Sequence, residues 1–215
     1  PITEMHISNS PDELPAEDDC ESFNLRDAIV KTLQHPTVSS KSFLITIGDR
    51  TVGGMVARDQ FIGPFQVPVS DYSMCLRSFT SLKGEVMAIG EKSTLAVTNP
   101  EASLRMAMGE ALTNMAGVVI KGLDHVQVSA NWMAASGDPK QDFALRNGVE
   151  ALSKISVDLD VSIPVGKDSL SMKTKWNEEK NEYEVTSPLS GIISAMAPVE
   201  DISPVSYTHL TLPTT

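Results

Sequence analysis

The stretch Pro100–Ile120, PEASLRMAMGEALTNMAGVVI, decides how this chain is read. Leu104, Met108, Leu112, Met115 and Val119 recur at helical spacing and mark the stripe that such a helix turns to a core. Pro100 suits the first turn, so the spacing predicts one helix from Pro100 to about Ile120. Another face breaks the apolar rhythm. Glu110 and Asn114 stand one above the other there, and Ser103, Ala107 and Gly117 extend the same face with small residues. The helix thus offers a carboxylate and an amide above a shallow patch. Both are hard oxygen donors suited to Mg²⁺, which shares its shell with nucleotide phosphates. The plain alternative is a solvated polar face, and the neighbouring segments must decide between the two.

Working outward, Asn24 caps a short helix through Leu33, with Pro36 just beyond it. Ser42–Ile47 (SFLITI) reads as a buried strand, and Thr51–Arg58 returns as a second one after the Gly48-Asp49-Arg50 turn. Gly53-Gly54 marks a bulge or a close approach. Tyr72–Phe79 and Glu85–Ile89 are further strands, ahead of the helix at Pro100. Beyond that helix come a strand at Val126–Asn131, a helix from Asp138 or Pro139 to about Ser156, and a strand at Val161–Val165. Gly166-Lys167-Asp168-Ser169 then reads as a turn, and KTKWNEEKN (173–181) as a linker or hairpin tip. Leu189–Val199 reads as a strand of a following unit. Strands first, then alternating helix and strand, is an α+β signature with the helices on one face of a mainly antiparallel or mixed sheet.

Composition narrows the function classes. In 215 residues, 41% hydrophobic, there is enough apolar material for a real core. A net charge of −11 speaks against nucleic-acid and membrane surfaces, which want basic patches. Six of the carboxylates crowd into Asp12–Glu21 (DELPAEDDCE), read as a solvated loop rather than a metal site. Cys20 and Cys75 follow no pattern, which suits a reducing cytoplasm, and no run of apolar residues is long enough to span a bilayer. The tail Val205–Thr214 (VSYTHLTLPT) matches the translation of a common sequencing adapter, so the coding sequence is expected to stop near Pro204.

Three segments ask for one explanation: IGDRTVGGMVARDQFIGPFQVPVSD (47–71), GEALTN (109–114) with SANWM (129–133) following, and IPVGKDSLSM (163–172). Together they resemble phosphoribosylformylglycinamidine synthase, the formylglycinamide ribonucleotide amidotransferase of purine biosynthesis, in its long single-chain form. The resemblance covers residues 22–204. It implies a fragment of the synthetase region of an ATP-dependent carbon–nitrogen ligase that takes ammonia from glutamine. The first synthetase half and the glutaminase would be its partners in the same polypeptide, with small-molecule substrates. The implied fold is a ferredoxin-like first domain of an aminoimidazole ribonucleotide synthetase-like half. The corresponding division is an acidic lead-in (1–22), that domain (23–175), the start of a second α/β domain (176–204) and read-through (205–215).

The resemblance also carries site residues. Asp71, Glu110 and Asn114 match Mg²⁺ ligands, and Ser70 matches a nucleotide contact. Lys167 and Asp168 match a stretch that reaches the catalytic ATP of the opposite half, although GKDS differs from the motif of shorter relatives. The second-half nucleotide site is implied to hold ADP structurally, no catalytic residue is assigned within the chain, and the fragment alone is expected to be inactive. Alternatives remain open: another ATP-dependent reaction of the superfamily, a purely structural nucleotide-holding half, or a regulatory module with no nucleotide. Arg58 with Asp59, Asp49 with Arg50, and Trp132 with Met133 are read as structural, Cys75 as a core thiol, and His35 and His125 as without a partner nucleophile.

Overall fold

The computed structural model describes residues 24–47, 54–62, 64–66, 69–178 and 181–203. The acidic lead-in, the Asp49-Arg50 turn, Gly53, Pro68 and the tail from 204 lie outside them.

The first helix, α1 (Leu25–Gln34), starts where its cap predicts: Asn24 Oδ1 accepts the N–H groups of Arg26 (3.0 Å) and Asp27 (3.2 Å). None of its residues is buried. Ser42–Ile47 is a second short helix, α2, and not the strand its apolar run suggests. A run of five apolar or β-branched residues after Ser42 carries no period that separates the two states, and Phe43 and Leu44 are exposed. A strand also needs a neighbour for its backbone, and among the described residues none pairs with this segment.

The body of the protein is one six-stranded sheet. Its strands are β1 (Val56–Arg58), β2 (Tyr72–Leu76), β3 (Gly84–Glu91), β4 (Gln127–Met133) and β5 (Ser162–Ser169), joined by a late strand at Ser190–Val199. Between β5 and that strand, β6 (Lys173–Glu178) and β7 (Asn181–Thr186) form a separate hairpin, which makes the late strand β8. The order is β1-β2-β3-β8-β4-β5, and only β4 and β5 run parallel. Two helices cross over between strands: α3 (Pro100–Asn114) joins β3 to β4, and α4 (Pro139–Asp158) joins β4 to β5. Because β8 lies antiparallel between β3 and β4, β3–α3–β4 is a split βαβ unit. The α+β class and the mixed sheet agree with the sequence reading. The succession is not a plain ferredoxin-like βαββαβ: β1 and β2 precede the first crossover, α4 follows β4 with no strand between, and β5 pairs with β4 in parallel.

Two boundaries shift for tertiary reasons. Ser190–Val199, assigned from sequence to a following unit, is the central strand of this sheet and pairs with β3 and β4 along its length. The Gly166–Ser169 segment is not a turn but the end of β5, held in register by β4 through Met133↔Ser169. A Cβ on Gly166 would lie 3.1 Å from the Trp132 ring, which would have to give by a few tenths of an ångström to admit it.

Alternation along β3 (Val86, Ala88), β4 (Val128, Ala130) and β8 (Ile193, Ala195, Ala197, Val199) builds one apolar face. Leu104, Met108 and Met115 of the α3 segment and Leu152 of α4 cover it. The core stripe of α3 is as its period predicts, except that Val119 lies beyond the helix and is exposed. The small residues do something other than line a shallow patch. Ser103, Ala107 and Ala111 are buried, and a Cβ on Gly90 of β3 would fall on the Ala107 carbonyl and lie 2.5 Å from the Ala111 nitrogen. Small side chains let helix and strand backbones touch. Asn99 Oδ1 caps α3 at the Ala102 N–H (2.9 Å), and Asp138 Oδ1 caps α4 at the N–H groups of Lys140 (3.0 Å) and Gln141 (3.1 Å).

Candidate functional site

Glu110 and Asn114 leave α3 at the end of β3. Glu110 Oε2 accepts the Glu91 N–H at 2.9 Å, and Asn114 Nδ2 donates to the Ile89 carbonyl at 3.0 Å. Both backbone groups lie past the point where β2 stops, since its last pair is Tyr72↔Ala88. The two side chains therefore take the place of a missing strand partner. Each keeps one oxygen, Glu110 Oε1 and Asn114 Oδ1, with no protein partner among the described residues. Asp71 comes immediately before Tyr72, so the β2–β3 register brings it to the same end of the hairpin. The donor set is two carboxylates and an amide, which fits a hard divalent cation such as Mg²⁺. Among the described residues no three His, Cys, Asp or Glu side chains converge on one point.

Two separate recesses flank this end of the hairpin, with Asp71 in the first and Glu110 and Asn114 in the second. One, of about 450 Å³, is lined by Arg58, Ser70, Asp71, Tyr72 and Ile89 among others. The second, of about 620 Å³, is lined by Lys92, Arg105, Glu110 and Asn114 among others. Ile89 belongs to the first, and its carbonyl is held by Asn114 of the second.

Ser70 is fully engaged in joining β1 to β2. Its N–H donates to Gln60 O at 2.8 Å, its hydroxyl donates to Tyr72 O at 2.6 Å, and the same Oγ accepts Arg58 Nε at 3.3 Å. The Arg58 guanidinium stands over the Tyr72 ring, 5.2 Å from its centroid. Tyr72 is only 4% exposed and its hydroxyl has no hydrogen-bond partner among the described residues. Burial pushes that phenol above its usual range, Arg58 pulls it back in part, and Asp71 adds to the rise.

Lys167 and Asp168 stand elsewhere. They lie on β5, at the opposite edge of the sheet from β1 and β2, and are exposed. Lys167 Nζ donates to Ser169 Oγ at 3.1 Å. The sequence-derived residues thus separate into two groups: Ser70, Asp71, Glu110 and Asn114 at one end of β2–β3, and Lys167 with Asp168 on the far strand.

Several side chains were legible only as structural. Arg58, read as structural at a strand end, bonds Ser70, twelve residues away. Trp132, read as packing, does pack across Gly166, but it also lines a groove of about 690 Å³ with Leu145, Val149 and Val157 of α4. Cys75 is half-buried and unpaired. His125 Nε2 lies 3.8 Å from Asp124 Oδ2 on the surface, and His35 Nδ1 accepts the Thr37 N–H at 3.2 Å after α1. No helix among the described residues is long and apolar enough to cross a membrane.

A one-sided mixed sheet built around a split βαβ unit, with polar side chains closing the end of one hairpin, defines an α+β domain. The family described as FGAR-AT PurM_N-like domain matches residues 40–198, and the chain belongs to that family. Among solved structures, T. maritima PurL complexed with ATP is similar at 14% identity with a TM-score of 0.51, over 94% of this chain and 28% of that one. T. maritima PurL complexed with AMPPCP gives 14% and 0.50, over 94% and 29%. T. maritima PurL complexed with ADP gives 15% and 0.50, over 95% and 28%. At such identity the likeness concerns the fold. The chain spans well under a third of the length of these proteins.

Proposed function

We propose that this chain is a segment of the synthetase region of a formylglycinamide ribonucleotide amidotransferase, and that it holds a magnesium–nucleotide at the end of the β2–β3 hairpin. The observation that carries this is the pair Glu110 and Asn114. Each is oriented by a bond to the β3 backbone and each keeps one oxygen for a cation, beside Asp71. Family membership and the fold shared with nucleotide complexes of PurL support the same reading. Asp71, Glu110 and Asn114 would hold Mg²⁺, and Ser70 belongs to the neighbouring wall. When bound, the ion would neutralise and orient the phosphates.

In this proposal the β2–β3 site retains its nucleotide as a structural element, and Lys167 with Asp168 serve a different nucleotide across the interface with the missing half. Their placement on the far edge strand supports separate duties. The glutamine donor, the other domains of the polypeptide, a cytoplasmic location and inactivity of the isolated segment belong to the same proposal. The test uses the full-length protein purified without added nucleotide, denatured and assayed for released ADP. Wild type should release ADP and Glu110→Ala should release none at this site. A variant that keeps its full complement of ADP would sink the reading and leave a regulatory module without nucleotide as the better account.

A further inference from the structure

We infer that Arg58 is the phosphate-binding side chain of the β2–β3 site, and that the Ser70 side chain acts through Arg58 as a positioning residue rather than touching the nucleotide itself. This rests on the nucleotide site proposed above and goes beyond it by assigning the anion contact.

The Ser70 hydroxyl has one proton, and that proton is given to the Tyr72 carbonyl at 2.6 Å. Its N–H is given to Gln60. Ser70 therefore has no donor left to offer a phosphate oxygen, and a phosphate offers only acceptors at neutral pH. What Ser70 does have is an oxygen that takes the Arg58 Nε–H at 3.3 Å. With Nε held and the guanidinium plane lying over the Tyr72 ring at 5.2 Å, the side chain is fixed at two points. Its terminal Nη groups have no hydrogen-bond or ion-pair partner among the described residues. They form the planar fork that meets two phosphate oxygens at once, which a lysine cannot reproduce.

Charge points the same way. The recess lined by Arg58 also carries the carboxylates of Asp59 and Asp71, and among the described residues Arg58 is the only Lys or Arg in its wall. A nucleoside diphosphate brings further negative charge than one divalent cation can offset, so a fixed cation beside the metal ligands is what the site needs. Arg58 supplies it without moving, because its position is already set in the protein alone.

The experiment is titration of Mg–ADP into the nucleotide-stripped full-length protein, counting the part of the binding that Glu110→Ala removes. Arg58→Gln should weaken that part about ten- to a hundredfold, the loss of a bidentate charged contact, and Arg58→Lys should weaken it less. Ser70→Ala should weaken it a few-fold in the wild-type background and not at all in Arg58→Gln, since it acts through Arg58. Circular dichroism and the melting temperature confirm that each variant is folded. If Arg58→Gln binds like wild type while Glu110→Ala abolishes binding, or if Ser70→Ala keeps its full effect in Arg58→Gln, the inference is overturned and the site stands. If Lys92→Gln and Arg105→Gln weaken ADP instead, the phosphates lie in the α3 recess and Arg58 is excluded. If Glu110→Ala and Arg58→Gln both leave ADP binding intact, the nucleotide site itself falls.

Discussion

Asn114 and Ile89 are joined side chain to backbone: the amide of one donates to the carbonyl of the other at 3.0 Å, where the β2 strand no longer reaches. The polar face of α3 is thus neither a solvated surface nor a free ligand set. It is anchored to the sheet by one atom of each residue and leaves the other atom to act.

That anchoring separates structure from metal binding. Glu110→Gln keeps an oxygen for the Glu91 N–H and should change stability by less than about 0.5 kcal/mol, while removing the charge that Mg²⁺ requires. Asn114→Asp should do the reverse damage, because a carboxylate oxygen would face the Ile89 carbonyl; the expected cost is about 1 kcal/mol. Thermal melts with and without Mg–ADP distinguish them. Wild type should gain stability with the ligand, and Glu110→Gln should not.

Gly90→Ala should be among the most damaging single methyl additions in the sheet. Its Cβ would meet the Ala107 carbonyl and the Ala111 nitrogen, which are backbone atoms and cannot turn aside. Overpacking of this kind costs about 1–3 kcal/mol, and more where backbones must part. Leu104→Ala, which empties a buried position packed against Gly148 and Gly191, should cost about 2–5 kcal/mol. Urea midpoints at unchanged slope measure both, and an unshifted midpoint for Gly90→Ala would contradict the close approach.

The hairpin β6–β7 should respond to acid. Lys173 and Lys175 contact Glu184 at 2.7 and 2.8 Å, and their hydrogen bonds hold its carboxyl down at about 2 from an ordinary 4.5. A folded value below the unfolded one means a contribution that is present above about 4.5 and lost as the pH falls toward 2. The Trp176–Tyr183 stack, 5.3 Å between centroids, lies one cross-strand pair away and provides the signal. Trp176 fluorescence should titrate across that window in wild type and stay flat in Glu184→Gln. Because the carboxylate is exposed, the change should shrink in high salt.

Lys167→Ala should leave the ADP retained at the Glu110 site untouched, because β5 and β2 lie at opposite sides of the sheet. Released ADP per protein, compared between Lys167→Ala and Glu110→Ala, checks this. A shared loss would mean that the two groups of residues meet on one nucleotide.

How much of this was legible beforehand differs from element to element. Helices α1, α3 and α4 were readable from their caps and period, and strands β2, β3 and β4 from alternation, to within a few residues at most ends. Ser42–Ile47 was not, because a short apolar run looks alike in both states. The members of the Mg²⁺ set were named from a family resemblance. Arg58 reads only as structural from its place at a strand end, because its hydrogen-bond partner Ser70 stands twelve residues away.

By itself, then, the sequence determined the family, the α+β class and helices α1, α3 and α4, because capping, periodicity and motif order are properties of neighbouring residues. Only the tertiary structure decided that Ser190–Val199 enters between β3 and β4, that the small residues of α3 exist to touch Gly90, and that Glu110 and Asn114 close an open strand end. The reason is the same in each case. Strand order, backbone approach and unpaired edge groups arise between segments far apart in the chain, so no local pattern encodes them.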